Sequence, residues 1–533
     1  MKSVGDMAQL LNDAISAHNQ GALGLAVGLY EDILTHNPQN VTALNLLGVL
    51  KGQMALPEQG VAWLEKALAV YPESGDANAN MGLMLNDLGR HGQAIGYLMK
   101  AIEKHPDNPN YMLNLAFVLV SFERPEEAIE VANVVIDLHP QLRRAYHAKG
   151  NALLLNGHVS EALQCYLIAL AEHVGDQRIW SNLGLTYRWS RMFPEAVKCH
   201  DTAVTLDPES MDARWERALT LLSFGEFETG WKDYAHAKKE RGLTSRPGLG
   251  SSWDGIADLT NKTIFVYREQ GLGDTLQFCR FMKYLPRNGV RVLFAPHAPL
   301  KWLMRTMGDD FEICDFSDPD LRADYHVPLV SLPAYFHSQE PQSETPYLFP
   351  SQEHVLKWKI RLGSDGFRIG VCWQGSTGKA DRGRSFPVRH FEGLSRIPGV
   401  RLISLHKGDG EGQLQSLPPG MNIETLGGDF DSGADGFLDS AAVIRSLDLV
   451  ITSDTAVAHL AGALAAPVWV ALKSMPDWRW RLEGEDSPWY PTMRLFRQRT
   501  AGDWNGVFAQ MEQALRNVFS LQPRRNDESP IGC

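Results

Sequence analysis

The sequence predicts an α-solenoid in its first half and an α/β protein of two Rossmann-like lobes in its second. Three observations predict this. Small residues and prolines recur every 34 residues as far as residue 244. From Thr263 onward, short β-branched runs alternate with helical stretches. One stretch, Ser446 to Leu472, reads as a complete strand–turn–helix–strand unit.

The repeat shows in four registers. Prolines stand at Pro38, Pro72, Pro106, Pro140 and Pro208, with Val174 in the gap. Gly48, Gly82, Ala116, Gly150, Gly184 and Ala218 keep the same step. So do Ala26, Gly60, Ala94, Ala128, Ala162, Ala196 and Gly230, and then Ala67, Ala101, Val135, Ala169, Ala203 and Ala237. Small residues let paired helices approach closely, and the proline closes the second helix of each pair. This is the signature of tetratricopeptide repeats. Seven units fit residues 7–40, 41–74, 75–108, 109–142, 143–176, 177–210 and 211–244. Such arrays present a groove to a peptide or protein partner. Asn12, Asn80, Asn114 and Asn182 share one phase of the first helix. A row of carboxamides would pair with the backbone of an extended peptide, or would simply face solvent.

Gly242 to Ser252 reads as a Gly/Pro/Ser-rich link. Thr263–Tyr267 is a buried strand leading through Arg268–Asp274 into a helix from Thr275 to Tyr284. Val290–Phe294, Phe311–Cys314 and Asp324–Val330 are further strands, and a helix over 353–362 crosses to the second lobe. That lobe opens with the strand Arg368–Trp373 and the loop from Gln374 to Ser385. Val400–Leu405 is a strand ending at His406-Lys407-Gly408, and Asp439–Leu447 is a helix. The βα order predicts parallel sheets, with glycine- and cation-bearing loops after strand ends. Two such lobes facing across a cleft make the GT-B plan. The domains expected are the solenoid 1–244, a first lobe 245–352, a second lobe 353–521 and a flexible tail 522–533.

In Ser446–Leu472, the apolar run Leu447–Ile451 makes a buried strand and Thr452–Thr455 supplies helix-capping residues. The N–H groups of Ala456 and Val457 then lie at the positive end of a helix, beside Thr455. That is a phosphate or carboxylate site by construction. Asp454 would cap or orient there, since like charges repel. Gly375 and Ser376 would supply close backbone approach beside Gln374, a further donor-site candidate, and Lys379, Arg382 and Arg384 put three cations in one loop. Lys407 is a further cation at the same sheet edge.

Gly271-Leu272-Gly273-Asp274 after a strand, with Asp454-Thr455-Ala456-Val457-Ala458-His459-Leu460-Ala461, resembles the heptosyltransferase-like glycosyltransferases of family 9. The resemblance covers residues 260–515. Fused to repeats, the chain resembles bacterial protein glycosyltransferases, including those that modify flagellin. It departs from the lipopolysaccharide enzymes in those repeats and in the segment PDWRWRLEGEDSPWYPTMRLFRQ. The resemblance implies transfer from a nucleotide sugar to a protein acceptor, Asp274 as base and a nucleoside near Lys407. Glu269 is the backup base, and Gly273 lies beside the donor. His459 would donate to phosphate or sugar, or else be an ordinary buried histidine. Asp274 has its own structural reading as a helix N-cap. Cations would do a metal's work there, and no metal cofactor is expected. The clusters Trp478–Arg481 and Pro488–Pro491 would pin the C-terminal helix back onto the first lobe, or offer a sugar platform.

Composition sets the limits. A chain of 533 residues, 44% hydrophobic and 21% charged, is expected to be a soluble protein of several domains. No run of apolar residues is long enough for a membrane span, and the start has no signal-like core. Six scattered cysteines without CxxC spacing fit a cytoplasmic protein. The net charge of −12 speaks against nucleic acid as a partner. Residues 1–244 hold 20 Lys+Arg against 29 Asp+Glu (net −9), which leaves 31 against 34 (net −3) for the rest. Two alternatives stand beside the transferase: a non-catalytic scaffold with a degenerate second half, and transfer to a glycan or lipid.

Overall fold

The computed structural model describes residues 4–239, 248–336, 344–376, 383–433 and 436–521. The chain forms two compact units that divide between Pro208 and Glu209. The first holds six helix pairs: Val4–Asn19 with Leu23–His36, Val41–Gln53 with Pro57–Val70, Gly75–Asp87 with His91–Lys104, Pro109–Ser121 with Pro125–Leu138, Arg143–Leu155 with Val159–Leu170, and Gln177–Trp189 with Phe193–Leu206. A seventh pair, Met211–Phe224 with Phe227–Lys239, belongs to the second unit.

The small-residue registers work by close approach. A Cβ on Gly48 would lie 2.7 Å from Leu64 Cγ, and one on Gly82 2.6 Å from Leu98 Cγ. Larger side chains there would force the pairs apart. Two more 34-residue registers carry the fold. Asn40, Ser74, Asn108, Asp176 and Ser210 cap first helices through side-chain oxygens, and Leu142 breaks that series. The turn inside every pair is left-handed at one residue: Gly21, Ala55, Gly89, Glu123, Gly157, Arg191 and Gly225. Glycine fills this position in alternate repeats only, so the register is hidden from composition.

The second unit holds two parallel five-stranded sheets, the expected two lobes. In the first, β1 (Leu249–Ser252), β2 (Thr263–Tyr267), β3 (Arg291–Ala295), β4 (Glu312–Ile313) and β5 (Ala323–Pro328) run in the order β1-β5-β2-β3-β4. In the second, β6 (Phe367–Cys372), β7 (Val400–Ser404), β8 (Leu449–Ser453), β9 (Val468–Leu472) and β10 (Met493–Arg497) run β10-β9-β8-β6-β7. In each sheet the chain order reverses at one inner strand, β2 in one and β6 in the other. Ligands bind outside the carboxyl ends of strands at such points.

The structure differs from expectation in three places. Part of the link is β1, whose Leu249 pairs with Ala323; only glycine fits at 250, where a Cβ would meet Asp324 O at 1.7 Å. The helix after β2 is α-helical only over Leu272–Phe278 and tightens to 3₁₀ over Cys279–Tyr284. Met493–Arg497, inside the extended aromatic segment, is the edge strand β10. The tail 522–533 lies outside the described residues. Among the described residues no helix is long and apolar enough to cross a membrane.

The turn register yields a paired expectation. Ala55 is exposed with φ +59, and Gly89 has φ +72 with nothing near its missing Cβ. Ala55→Gly should stabilise the repeats and Gly89→Ala destabilise them, each by about 1 kcal/mol. Thermal melts followed by circular dichroism check the opposite signs.

Candidate functional site

The loops after β2 and β8 start two helices whose first turns meet. Leu272–Phe278 follows β2 and Ala456–Ala463 follows β8. A Cβ on Gly273 would lie 2.8 Å from His459 Cδ2 and 3.6 Å from Ala456 Cα. The second glycine of Gly271-x-Gly273-Asp274 is therefore a packing requirement. The two motifs read from sequence are in contact.

Gly271, not Asp274, is the N-cap of this helix; Asp274 is its third residue, and its Oδ2 accepts from the Gly271 N–H at 2.8 Å. Its Oδ1 accepts from Arg479 Nη2. Arg479 is buried, donates through Nε to Gln277 Oε1 at 2.8 Å and through Nη1 to Asp477 Oδ1 at 2.8 Å, and lies over the Trp478 ring at 4.4 Å. Burial opposes the guanidinium charge, but the Asp477 and Asp274 carboxylates outweigh it and raise its proton affinity. One guanidinium thus joins the first lobe's helix to a second-lobe segment. A second buried arginine does the same nearby: Arg280 donates to Trp489 O at 2.9 Å, Tyr347 Oη at 2.8 Å and Gln277 O at 2.9 Å.

His459 is buried, shares a 3.0 Å hydrogen bond between Nδ1 and Tyr490 Oη, and stacks on Trp480 with centroids 5.1 Å apart. Burial, with Arg479, Arg280 and Arg384 adding repulsion, holds it well below the ordinary imidazole range, so it is neutral at pH 7. Those are the marks of a structural histidine, although the Cδ2 side of its ring faces Gly273. Thr455 begins its helix in an extended conformation without a side-chain cap, its hydroxyl 3.0 Å from Thr452 Oγ1. The N–H groups of Ala456 and Val457 follow at the helix start. Burial and the nearby Asp477 carboxylate push Asp454 up to about 6.

Arg384 is half-buried and its charge reaches both Asp454 and His459. Its Nη2 would be 2.7 Å from a Cβ on Gly375, so glycine there admits the guanidinium. Gln374 is half-buried, 3.5 Å from Gln413 Nε2, and Ser376 is exposed. Lys379 and Arg382 lie outside the described residues. Lys407 is exposed and donates to Phe430 O. Glu269 is half-buried beside Tyr234 of the seventh pair, where its charge is felt together with that of Asp274.

Sequence reasoning missed Arg479, Arg280, Gln277 and Tyr234 as parts of this site. The signal for Arg479 was an arginine between two tryptophans, read only for its aromatics. Trp480, Trp489 and Tyr490 are fully buried, which removes the sugar-platform reading. Their structural role is different in its object: the segment packs on the helix Leu272–Phe278 and the seventh pair. Trp478 lies 5.2 Å from Trp231, and Trp489 5.8 Å from Phe278. The asparagine row is split. Asn80 donates to Asn45 Oδ1 at 3.0 Å, and Asn182 to Asn151 Oδ1 at 2.8 Å with His147 Nε2 at 3.2 Å. These bonds tie consecutive first helices. Asn12 is exposed and Asn114 half-buried.

Tetratricopeptide repeat models match residues 55–109 and 85–151. Protein FlbA of Caulobacter vibrioides is 27% identical over 336 residues, 57% of this chain and 55% of its own. The chain spans about half the length of that curated relative. A tetratricopeptide repeat protein from Parabacteroides merdae is 13% identical with a TM-score of 0.38, covering 45% of this chain and 94% of its own. YrrB, described as having an unusual peptide-binding site, is 21% identical with a TM-score of 0.26, covering 34% and 95%. A repeat protein of Thermus thermophilus is 20% identical with a TM-score of 0.33, covering 34% and 99%.

Two outcomes follow from the charges. Arg479→Met should cost about 3 kcal/mol, because Asp274 and Asp477 lose a buried partner. Adding Asp274→Asn should restore part of that loss, which chemical denaturation of the single and double variants measures. Asp454 binds its proton more tightly folded than unfolded, so its contribution to stability is full below pH 4 and lost as pH rises through about 6. Asp454→Asn should therefore gain on wild type between pH 4 and 7, by roughly 2 kcal/mol at the top. Melting curves across that range read the sign.

Proposed function

We propose that the second unit is a glycosyltransferase that moves a sugar from a nucleotide-sugar donor to a protein acceptor held by the repeats. The observation that carries the reading is the meeting of the Gly271–Asp274 turn with the Asp454–Val457 turn, outside the carboxyl ends of β2 and β8. In the proposal the donor diphosphate lies at the start of the helix Ala456–Ala463, held by backbone N–H groups and the Thr455 hydroxyl. Arg384 supplies compensating positive charge. A carboxylate, Asp274 or Glu269, takes the acceptor proton as the new oxygen–carbon bond forms. The bond from the sugar to the diphosphate breaks, and the nucleoside diphosphate leaves with the electron pair. Metal-independence, a cytoplasmic setting and a flagellin-like acceptor belong to the same proposal.

One observation favours a second reading, a scaffold whose transferase half only holds a ligand. Both Asp274 oxygens already accept hydrogen bonds, from Gly271 and Arg479. The two readings separate on release of nucleoside diphosphate from a panel of nucleotide sugars, with equilibrium binding measured alongside. For an enzyme, wild type releases product, and Asp274→Asn or Glu269→Gln loses about 100-fold or more in turnover at unchanged donor affinity. Binding without release in wild type would leave the scaffold.

A further inference from the structure

The seventh helix pair belongs to the unit that carries the site, and its second helix reaches the loop between β2 and Asp274. Tyr234 is buried there, 4.8 Å from Trp215, 5.3 Å from Trp231 and 6.4 Å from Trp478 between ring centroids. Its hydroxyl oxygen accepts from Gln270 Nε2 at 2.5 Å. Gln270 stands next to Glu269 and four residues before Asp274. Its φ is +58, a left-handed conformation that a residue with a side chain rarely adopts unless its surroundings impose it.

Those surroundings are visible. Gln270 O faces His297 Nε2 at 3.2 Å, and His297 Nδ1 faces Thr275 Oγ1 at 2.8 Å. His297 thus staples the loop to the residue after Asp274, while Tyr234 grips it from the repeat side. Burial keeps the Tyr234 phenol protonated; the Arg479 charge opposes this, and the Glu269 and Asp274 charges add to it. The tyrosine cannot shift alone, because its helix is wedged among aromatics of both lobes. Trp231 lies edge-on to Phe278 at 5.7 Å, and Phe227 edge-on to Trp489 at 6.1 Å.

We propose that Tyr234, a residue of the last repeat, is a positioning residue for the loop bearing Glu269 and Asp274. The inference rests on the transferase reading for its catalytic meaning. It makes the last repeat part of the site's frame rather than only a recruiting arm.

The test uses the full chain with Tyr234→Phe, which keeps the ring, Gln270→Ala, which approaches the same bond from an exposed side chain, and the double variant. Two quantities are read: amide hydrogen exchange over residues 269–275, and nucleoside diphosphate release from the donor. Each single variant should speed exchange in that segment and lower kcat about tenfold, with donor KM and melting temperature unchanged. The double variant should do no more than either single one. Unchanged exchange in both singles, exchange that rises without a fall in kcat, or strictly additive effects would overturn the proposal. If wild type turns over no donor at all, the transferase reading fails on its own. The exchange result then still decides whether Tyr234 sets the loop.

Discussion

The second unit depends on the buried Arg479 guanidinium. It binds a carboxylate and an amide from one helix of the first lobe and a carboxylate from its own segment, with tryptophan against its face. Such a group is costly to bury and is retained only where its donors are matched. The matching fixes how the turn at Asp274 meets the turn at Thr455. Gly273 and His459 touch because that alignment leaves no room for a side chain at 273.

Around this contact the chemistry is graded by charge. Asp274 and Asp477 pair directly with Arg479, Asp454 feels the charges of Arg384 and Arg479, and the buried neutral His459 feels both arginines as well. Dense opposing charge in a half-buried space is what a site for an anionic substrate needs, since arriving phosphates can replace carboxylates as partners of fixed cations. The same arrangement holds the lobes together without a ligand.

The repeats were legible because close helix packing forces small residues into a strict period, and the period survives in the amino acids themselves. The left-handed turn register was not legible, since Ala55, Glu123 and Arg191 occupy it as well as glycine. Both motifs of the second half were legible, because strand ends followed by capping residues and glycine leave a local signature. Their meeting was not local. It depends on Arg479, 205 residues from Asp274 along the chain, and on the seventh pair, which sequence periodicity assigns to the solenoid and packing assigns to the α/β unit. Lys407 stands after β7 as its position in the sequence suggests, and its contact with the Phe430 carbonyl is again one that no local pattern shows.

In the proposed transferase the turn at Thr455 receives a diphosphate. Calorimetric titration of nucleoside diphosphates into the full chain tests this most directly, with Arg384→Gln as the comparison. Saturable one-to-one binding of at least one nucleotide is expected, weakened by about tenfold or more when the cation is removed. Binding of equal strength in the variant, or none in wild type across the bases, would contradict it.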